Sequence, residues 1–394
     1  MGQSAYAMAV EASRMKLSLS RDPTVSSFQI QSNQYISRGQ NYFRREASGS
    51  NEAAILTFRS DRRPDGGFGY GVSLRNEFSA TEEWNYFNLH EAYLSRRVGD
   101  ESLLSLGRKQ DVWTEWEGTW AQGFFQPRYV QNRLRPENAG LVGAFLRTGE
   151  GSYSFTLGVL PVHVPDFGPH FSTEDYRFVS ANPWFRPPAS EFELGERGTR
   201  GRIRYSVDEP PVEQVLAHAG AVVKVEWKSG PYRGRLSGAY KPMPQFLLGF
   251  PGRMWVLDEI DYMEVDITPR VGYHRLVNLD NAVQVGAWTF SASIAHENPE
   301  DRVSAEGWTL QRTTEAWVVS ASASRPLEEE GPGAARIQFG MIKVQGGDAP
   351  DEGYFASSTS SKFDRRYQFS EAYMVAWSQP FRRAWPRPWK RRRE

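Results

Sequence analysis

One pattern constrains this chain more than any other: apolar residues alternate with small or polar ones, with period two, through most of its length. From Gly151 to Leu160, Tyr153, Phe155, Leu157 and Val159 share one face, while Ser152, Ser154, Thr156 and Gly158 share the other. Phe68, Tyr70, Val72 and Leu74 alternate with Gly69, Gly71, Ser73 and Arg75. Trp317, Val319, Ala321 and Ala323 alternate with Ser320, Ser322 and Ser324, and Ala335, Ile337, Phe339 and Met341 with Arg336, Gln338 and Gly340. Successive side chains of a strand point to opposite faces, so each stretch reads as a strand with one apolar face. The partner face is small or hydrated, as a water-filled interior would require. No helical period dominates. Pro210 to His218 reads as a short helix within a loop, because proline is favoured in a first turn.

The pattern predicts eighteen strands, at 13–20, 26–32, 40–46, 52–60, 67–79, 85–97, 101–110, 139–148, 151–160, 190–195, 199–207, 221–228, 231–241, 261–275, 282–296, 313–325, 334–344 and 365–378. Tight links at 98–100, 149–150, 196–198 and 229–230 follow the sixth, eighth, tenth and twelfth. Long links at 111–138, 161–189, 242–260, 297–312 and 345–364 follow the seventh, ninth, thirteenth, fifteenth and seventeenth. Short and long connections alternating by parity, with an even strand number, are the signature of a bacterial outer-membrane barrel. The expected fold is therefore all-β: one antiparallel transmembrane barrel of eighteen strands, with sixteen as the alternative. Short turns would face the periplasm and long loops the outside. The proline-rich loop 161–189, with Trp184 and Phe185, reads either as a constriction folded into the lumen or as an ordered cap outside.

Composition agrees. Mean hydropathy is −0.58 and no run of about 18 apolar residues exists, which excludes a transmembrane helix but not a barrel, whose alternation averages to polar. Aromatics make up 13% of the chain, suiting interfacial girdles. Lys plus Arg equals Asp plus Glu at 47 each, so charge points to no nucleic-acid partner. Cysteine is absent, which removes disulfide and thiol chemistry. The start lacks the basic and apolar parts of a signal peptide; Ala5-Tyr6-Ala7 resembles a cleavage-site remnant, so the chain reads as a mature form, against an ordinary cytosolic start.

No dinucleotide, P-loop or nucleophile-elbow motif is present, so neither an enzyme nor a cofactor is expected. The histidines, His90, His163, His170, His218, His274 and His296, show no helical zinc spacing. His163 and His170 share a loop with Asp166 and Asp175, an arrangement that suits either a cation or a merely polar loop. Arginine is the more informative residue. Arg200, Arg202 and Arg204 share a face opposite Ile203, Tyr205 and Val207; Arg233 and Arg235 oppose Tyr232 and Leu236; Arg270 joins them. Charge on a lipid face costs roughly 2–4 kcal/mol at mid-bilayer, so these arginines are expected to line the lumen and contact substrate. Lys224, Lys228 and Lys241 stand with them, against Glu191, Glu193, Glu226, Glu264 and Asp266. Two readings stay open, an anion-favouring wall or paired charges that brace the lumen.

Leu89-His90-Glu91-Ala92-Tyr93-Leu94, followed by Leu104-Ser105-Leu106-Gly107-Arg108-Lys109-Gln110 and then Trp113 and Trp116, resembles porin-like barrels of the alginate-export type. That resemblance implies an eighteen-stranded barrel with an Arg-rich lumen for an acidic polysaccharide. Here the basic excess is partial and interleaved with acids. The expected organisation is a periplasmic segment at 1–12, the barrel at 13–381 and a basic tail at 382–394. The expected role is a passive channel in the outer membrane for small, anionic or saccharide solutes. Its alternatives are an export conduit for an exopolysaccharide and a structural barrel anchoring a larger envelope complex. The expected partners are the lipid bilayer, the solute or polysaccharide, and a periplasmic protein at the tail, which otherwise reads as a solvated extension.

Overall fold

The computed structural model describes residues 8–18, 26–36, 50–62, 68–79, 85–131, 136–149, 151–180, 182, 185, 190–194, 199–249, 252–257, 260–300, 314–327, 335–347, 367 and 371–378. Six strands lead: β1 (Met8–Ser18), β2 (Ser26–Ile36), β3 (Ser50–Arg62), β4 (Phe68–Ser79), β5 (Asn85–Arg97) and β6 (Ser102–Lys109). Helix α1 (Glu117–Trp120) and the two-residue strands β7 (Arg128–Tyr129) and β8 (Glu137–Asn138) precede β9 (Leu141–Thr148) and β10 (Tyr153–Leu160). Then come β11 (Ser172–Glu174), β12 (Arg177–Val179), β13 (Glu191–Leu194), β14 (Thr199–Val207) and helix α2 (Val212–Leu216). β15 (Gly220–Ser229) and β16 (Tyr232–Pro242) lead to β17 (Leu247–Gly249), β18 (Gly252–Leu257) and β19 (Ile260–Arg270). The chain continues through β20 (Tyr273–Val285), β21 (Trp288–Pro299), β22 (Ala316–Pro326), β23 (Arg336–Gly346) and β24 (Glu371–Ser378).

One sheet of fifteen strands dominates, in the order β1-β2-β3-β4-β5-β6-β9-β10-β15-β16-β20-β21-β22-β23-β24, and consecutive members pair antiparallel. Every connection between neighbours runs onward in sequence, as in an up-and-down meander. Tight turns join β5 to β6, β9 to β10, β15 to β16 and β20 to β21; long links follow β6, β10, β16, β21 and β23. Two of the turns are two-residue hairpins, Gly230-Pro231 and Gly286-Ala287, and each opens on a glycine at positive φ (55° and 58°). Such hairpins need φ > 0 at a central residue to match strand twist.

The expected strand list changes in three places. Strands 190–195 and 199–207 do not join the main sheet; they are β13 and β14 of a separate small one. The predicted 261–275 spans a boundary, with β19 in the small sheet and β20 starting the next main-sheet strand. The turn at Gly286 splits what reads as one strand at 282–296. The expected strand at 40–46 and the tail 382–394 lie outside the described residues, and β1 starts at Met8, inside the segment assigned to precede the barrel.

The small sheet has the order β13-β14-β19-β17, with β18 also pairing β19. Its central pair, β14 and β19, is parallel, so hairpin-linked neighbours of a meander cannot have produced it. It is built from the links after β10 and after β16, which both leave the same end of the main sheet. Ile203, Tyr205, Val265 and Ile267 form its core, with Phe178 and Met263 packed alongside.

The main sheet is rolled around the link after β6. Trp113 lies 6.5 Å from the Phe145 ring of β9, and Trp116 Nε1 donates to Asn278 Oδ1 of β20 at 3.1 Å. A Cβ built on Gly340 of β23 would stand 3.5 Å from the Trp120 ring. β9 and β23 are seven strand spacings apart. A flat sheet would hold them roughly 34 Å apart at ~4.8 Å per spacing, which one helix-containing segment of eight residues does not span. β4 reaches the same segment from the other side, because Arg75 pairs with Glu137 and Asn138 donates to the carbonyl of Glu117 at 2.9 Å.

The two faces of this wall are opposite in kind. On the outer face one row runs Phe155, Val225, Leu236, Leu279, Ile294 and Val319 across six strands. Most of these are exposed, Ile294 at 45% and Val319 at 46%. Above and below this row lie aromatic bands. Tyr153, Trp227, Tyr232, Trp288, Phe290 and Trp377 stand near the short-turn end; Phe87, Tyr240, Tyr273 and Trp317 stand near the long-link end. Trp288 stacks on Phe290 at 6.0 Å, and Tyr240 on Tyr273 at 5.4 Å. On the inner face, Thr156, Lys224, Ser237, Asn278 and Asp280 are buried.

Candidate functional site

The inner face and the segment folded onto it form the site. Inner rows are set by strand register. One row reads Ser154, Glu226, Arg235, Asp280, Ser293, Ser320; the next toward the short turns reads Lys228, Arg233, Ala282, Ser291, Ser322. In the first row the charges close on each other. Arg235 donates to Glu226 Oε1 at 3.1 Å and, from Nη1, to Asp280 Oδ2 and Glu115 Oε1, each at 3.3 Å. Arg147 of β9 is 3.8 Å from Glu226. Lys224 reaches Asp111 Oδ1 at 2.9 Å and the Val112 carbonyl at 3.1 Å, with its ammonium 5.3 Å from the Trp113 ring.

These contacts dock the segment. The Glu115 N–H donates to Asp280 Oδ2 at 3.0 Å, and Ser237 Oγ to the Trp113 carbonyl at 2.6 Å. Burial alone would raise the Asp111 carboxyl, but Lys224 and Lys109 outweigh it and hold that group below the usual carboxylate range. Trp113, Trp116, Phe124 and Phe125 are almost fully buried against inner-face Phe145, Leu160, Val222, Leu276, Val318 and Ile342. Glu117 organises the turn: its Oε1 accepts the N–H groups of Phe124, Phe125 and Gln126 at 2.9–3.0 Å. Burial pushes its carboxyl up to about 7, against the pull of those N–H groups and of Lys241. Toward the long-link end, His274 Nδ1 and the Tyr367 hydroxyl both hydrogen-bond Glu297.

Beneath the segment, on the short-turn side, lies a cleft of about 230 Å³. Arg147, Ser152, Ser154, Lys228 and Arg233 line it, and Glu115, Glu226, Arg235 and Asp280 close its inner end.

Of the six predicted arginines, the structure brings two together on this wall, Arg233 and Arg235. Arg202 and Arg204 of β14 and Arg270 of β19 lie on the small sheet with exposed side chains, and Arg200 is also on β14. There the apolar residues pack inward and the arginines face out. Arg204 lies over Tyr262 at 4.3 Å and over Tyr176 at 5.5 Å. Glu264 and Asp266 sit on the same small sheet, across from Arg204 and Ser206. Asp166, offered for a cation, is engaged by Arg128 at 2.7 Å, and burial drives His163 down to about 3. No metal-binding cluster of three or more His, Asp or Glu occurs among the described residues.

The segment after β6 is a further correction. The sequence reading placed 111–138 outside and considered 161–189 for the lumen. The inner face is instead filled by residues 111–126, while 161–180 rests on β7, just beyond them, through Arg128–Asp166 and the bridge between Tyr129 and Phe167. The available signal was density: Trp113, Trp116, Trp120, Phe124 and Phe125 in one non-alternating link are too many large apolar groups to leave in water.

No family model matches this chain, and no curated protein matches it, so the resemblance to alginate-export barrels gains no support there. Among solved structures it is similar to Salmonella typhi OmpF in a complex with daunomycin, at 9% identity and a TM-score of 0.44, covering 87% of this chain and 85% of that one. It is similar to OmpT, an outer membrane protein of Vibrio cholerae, at 9% identity and a TM-score of 0.33, over 84% and 90% of the two chains. Pseudomonas aeruginosa OccK2 (OpdF), in complex with glucuronate, is similar at 13% identity and a TM-score of 0.36, over 76% and 60%.

Proposed function

We propose that this chain is a bacterial outer-membrane β-barrel acting as a non-enzymatic, porin-like channel whose lumen is narrowed by residues 111–126. One observation carries the reading: the main sheet exposes its apolar face and buries its polar one. Soluble monomers rarely expose contiguous apolar patches beyond a few hundred Å². The row from Phe155 to Val319, bounded by two aromatic bands, has lipid as its natural cover. Tyr232 and Tyr240 mark the bands on one strand. Their separation is about 27 Å along the strand at ~3.4 Å per residue. At a tilt of ~40° that becomes roughly 21 Å, near the ~25 Å apolar height of such barrels.

Because all neighbours are antiparallel and fifteen strands are described, β1 and β24 run the same way. Closure to an even barrel then takes one further strand, so sixteen is favoured over eighteen. The long links and the small sheet would face outside and the tight turns the periplasm. Small anionic or saccharide solutes would pass the wall bearing Arg233 and Arg235. A second reading, a barrel that anchors an envelope complex and conducts little, is favoured by the dry packing of Trp113, Trp116 and Phe125 against inner-face Leu276 and Ile342.

Planar-bilayer recording, with heat-modifiable migration on gels as the test of fold, separates the two. The channel reading expects steps smaller than those of an open sixteen-stranded pore. Steps absent from a heat-modifiable, inserted protein would leave the anchor. Solubility without detergent would remove the barrel itself.

A further inference from the structure

The cleft under the inserted segment holds two cations that the wall does not neutralise. Lys228 and Arg233 are direct cross-strand partners on the inner face of β15 and β16. Like charges directly opposite each other on a sheet are destabilising. The row continues as Ala282, Ser291 and Ser322, which bring no countercharge. The acids nearest in the wall, Glu226, Asp280 and Glu115, are all held by Arg235. Neither Lys228 nor Arg233 has a carboxylate within ion-pair distance among the described residues. Arg147 adds a third cation, half-exposed and only loosely tied to Glu226. One inner row is therefore charge-closed and its neighbour is charge-open, and the open row borders the half-open cleft.

We infer that this cleft is an oxyanion subsite: Arg233 and Lys228 take the carboxylate or phosphate of a small hydrophilic solute, with Arg147 on β9, two strands along the same sheet from β15, and Ser152 and Ser154 for its hydroxyl groups. A guanidinium offers a planar fork that fits carboxylate and phosphate, and an ammonium opposite it adds a point charge. At about 230 Å³ the cleft is smaller than the ~300–1,000 Å³ pockets that take drug-sized ligands, and it matches a solute of sugar-acid size. Gly151 and Ser152 of the tight turn before β10 border it, so the subsite lies on the short-turn side of Glu115. The assignment of the subsite to a transport path rests on the channel reading; the binding itself does not.

The test is calorimetry on the detergent-solubilised full chain at low salt, with gluconate, its neutral counterpart sorbitol, and inorganic phosphate as probes. Gluconate should bind and sorbitol should not. Phosphate binding as tightly as gluconate would identify the charged group alone as what is read; weaker phosphate would add the serines and a polyol chain. Arg233→Gln and Lys228→Gln should each weaken gluconate by about fivefold, the worth of one semi-exposed ion pair. Lys228→Glu should abolish binding and raise the melting temperature, because it turns a repulsive cross-strand pair into an attractive one. Equal binding of sorbitol, or affinities unchanged in both glutamine variants, would overturn the subsite. Conductance measured on the same samples keeps the two ideas apart. Steps without gluconate binding sink the subsite alone, and binding without steps sinks the channel alone.

Discussion

β20 and β14 carry the same period-two pattern and bury opposite halves of it. In β20, His274, Leu276, Asn278, Asp280 and Ala282 point inward and are buried, while Val277 is 53% exposed. In β14, Ile203 and Tyr205 are buried, and Arg202, Arg204 and Ser206 face water. Alternation identifies a strand and its two faces. Which face is buried depends on what lies across from it. β20 lies against the inserted segment, whose Trp116 and Glu115 supply hydrogen-bond partners for Asn278 and Asp280. Among the described residues, β14 packs its apolar side on Phe178 and the apolar side of β19. The expectation that apolar always means outward puts Arg200, Arg202, Arg204 and Arg270 on the main wall, whereas β14 and β19 carry them in the small sheet, with Arg202, Arg204 and Arg270 exposed.

Four substitutions probe that contrast. The largest effect is expected at Arg235, the hub of three carboxylates. Arg235→Met leaves the buried Asp280 without its cation and Glu226 with Lys224 and Arg147 alone, and breaking such a buried pair costs about 3–5 kcal/mol. The variant should show a matching fall in the denaturant midpoint, together with easier proteolysis near Glu115. A loss below 1 kcal/mol would mean that water already screens the hub and that the wall is wetter than its burial implies. Next is Ile294→Arg, at the middle of the outer row. Charge there costs roughly 2–4 kcal/mol in a bilayer, so folding yield into vesicles should drop. Ile203→Arg, the matching change in the small sheet, should open only the cap and leave insertion intact. Equal insertion defects from the two would erase the distinction between the regions. The smallest effect is expected for Arg204→Ala, which removes cation–π contacts with Tyr262 and Tyr176 worth about 0.5–1 kcal/mol at an exposed site. A larger loss in stability would place Arg204 in a less solvated setting than the small-sheet surface.

Much of the wall was legible because its strands are bounded by strong turn signals. Tyr153–Leu160 forms as the alternation predicts, and the links at Gly149 and Gly230 are tight. The Gly286 turn was hidden. Val283, Val285, Trp288 and Phe290 keep apolar residues flowing across it, so only a single glycine announces the reversal. Pairing partners were the harder problem. Nothing local in Arg202 to Val207 distinguishes a strand that joins β10 by a hairpin from one that pairs in parallel with a segment sixty residues away. The inserted segment was missed for a related reason: a long link between strands says nothing of whether it turns outward or back inside, and its aromatic density was the only cue. The charge-closed and charge-open rows depend on register between β10, β15, β16 and β20, which single strands do not contain. Lys228 and Arg233 are the exception, since the two-residue turn at Gly230-Pro231 already sets them opposite each other.

The parallel pair β14–β19 has a bearing on the order of assembly. Its partners are separated by both β15 and β16, so Arg202 meets Tyr262 only after that hairpin has been made and its ends brought back to one rim. Contacts of such long sequence separation form late, because the entropy of closing the intervening loop is spent before they return anything. The inserted segment is placed differently. Residues 111–126 touch β9, β20 and β23, so their packing needs the main sheet on both sides of them but not the small one. The small sheet then staples two neighbouring hairpins at one end of the main sheet after that packing has formed. A chain interrupted between these two stages would carry the packed wall with β14 and β19 still unpaired.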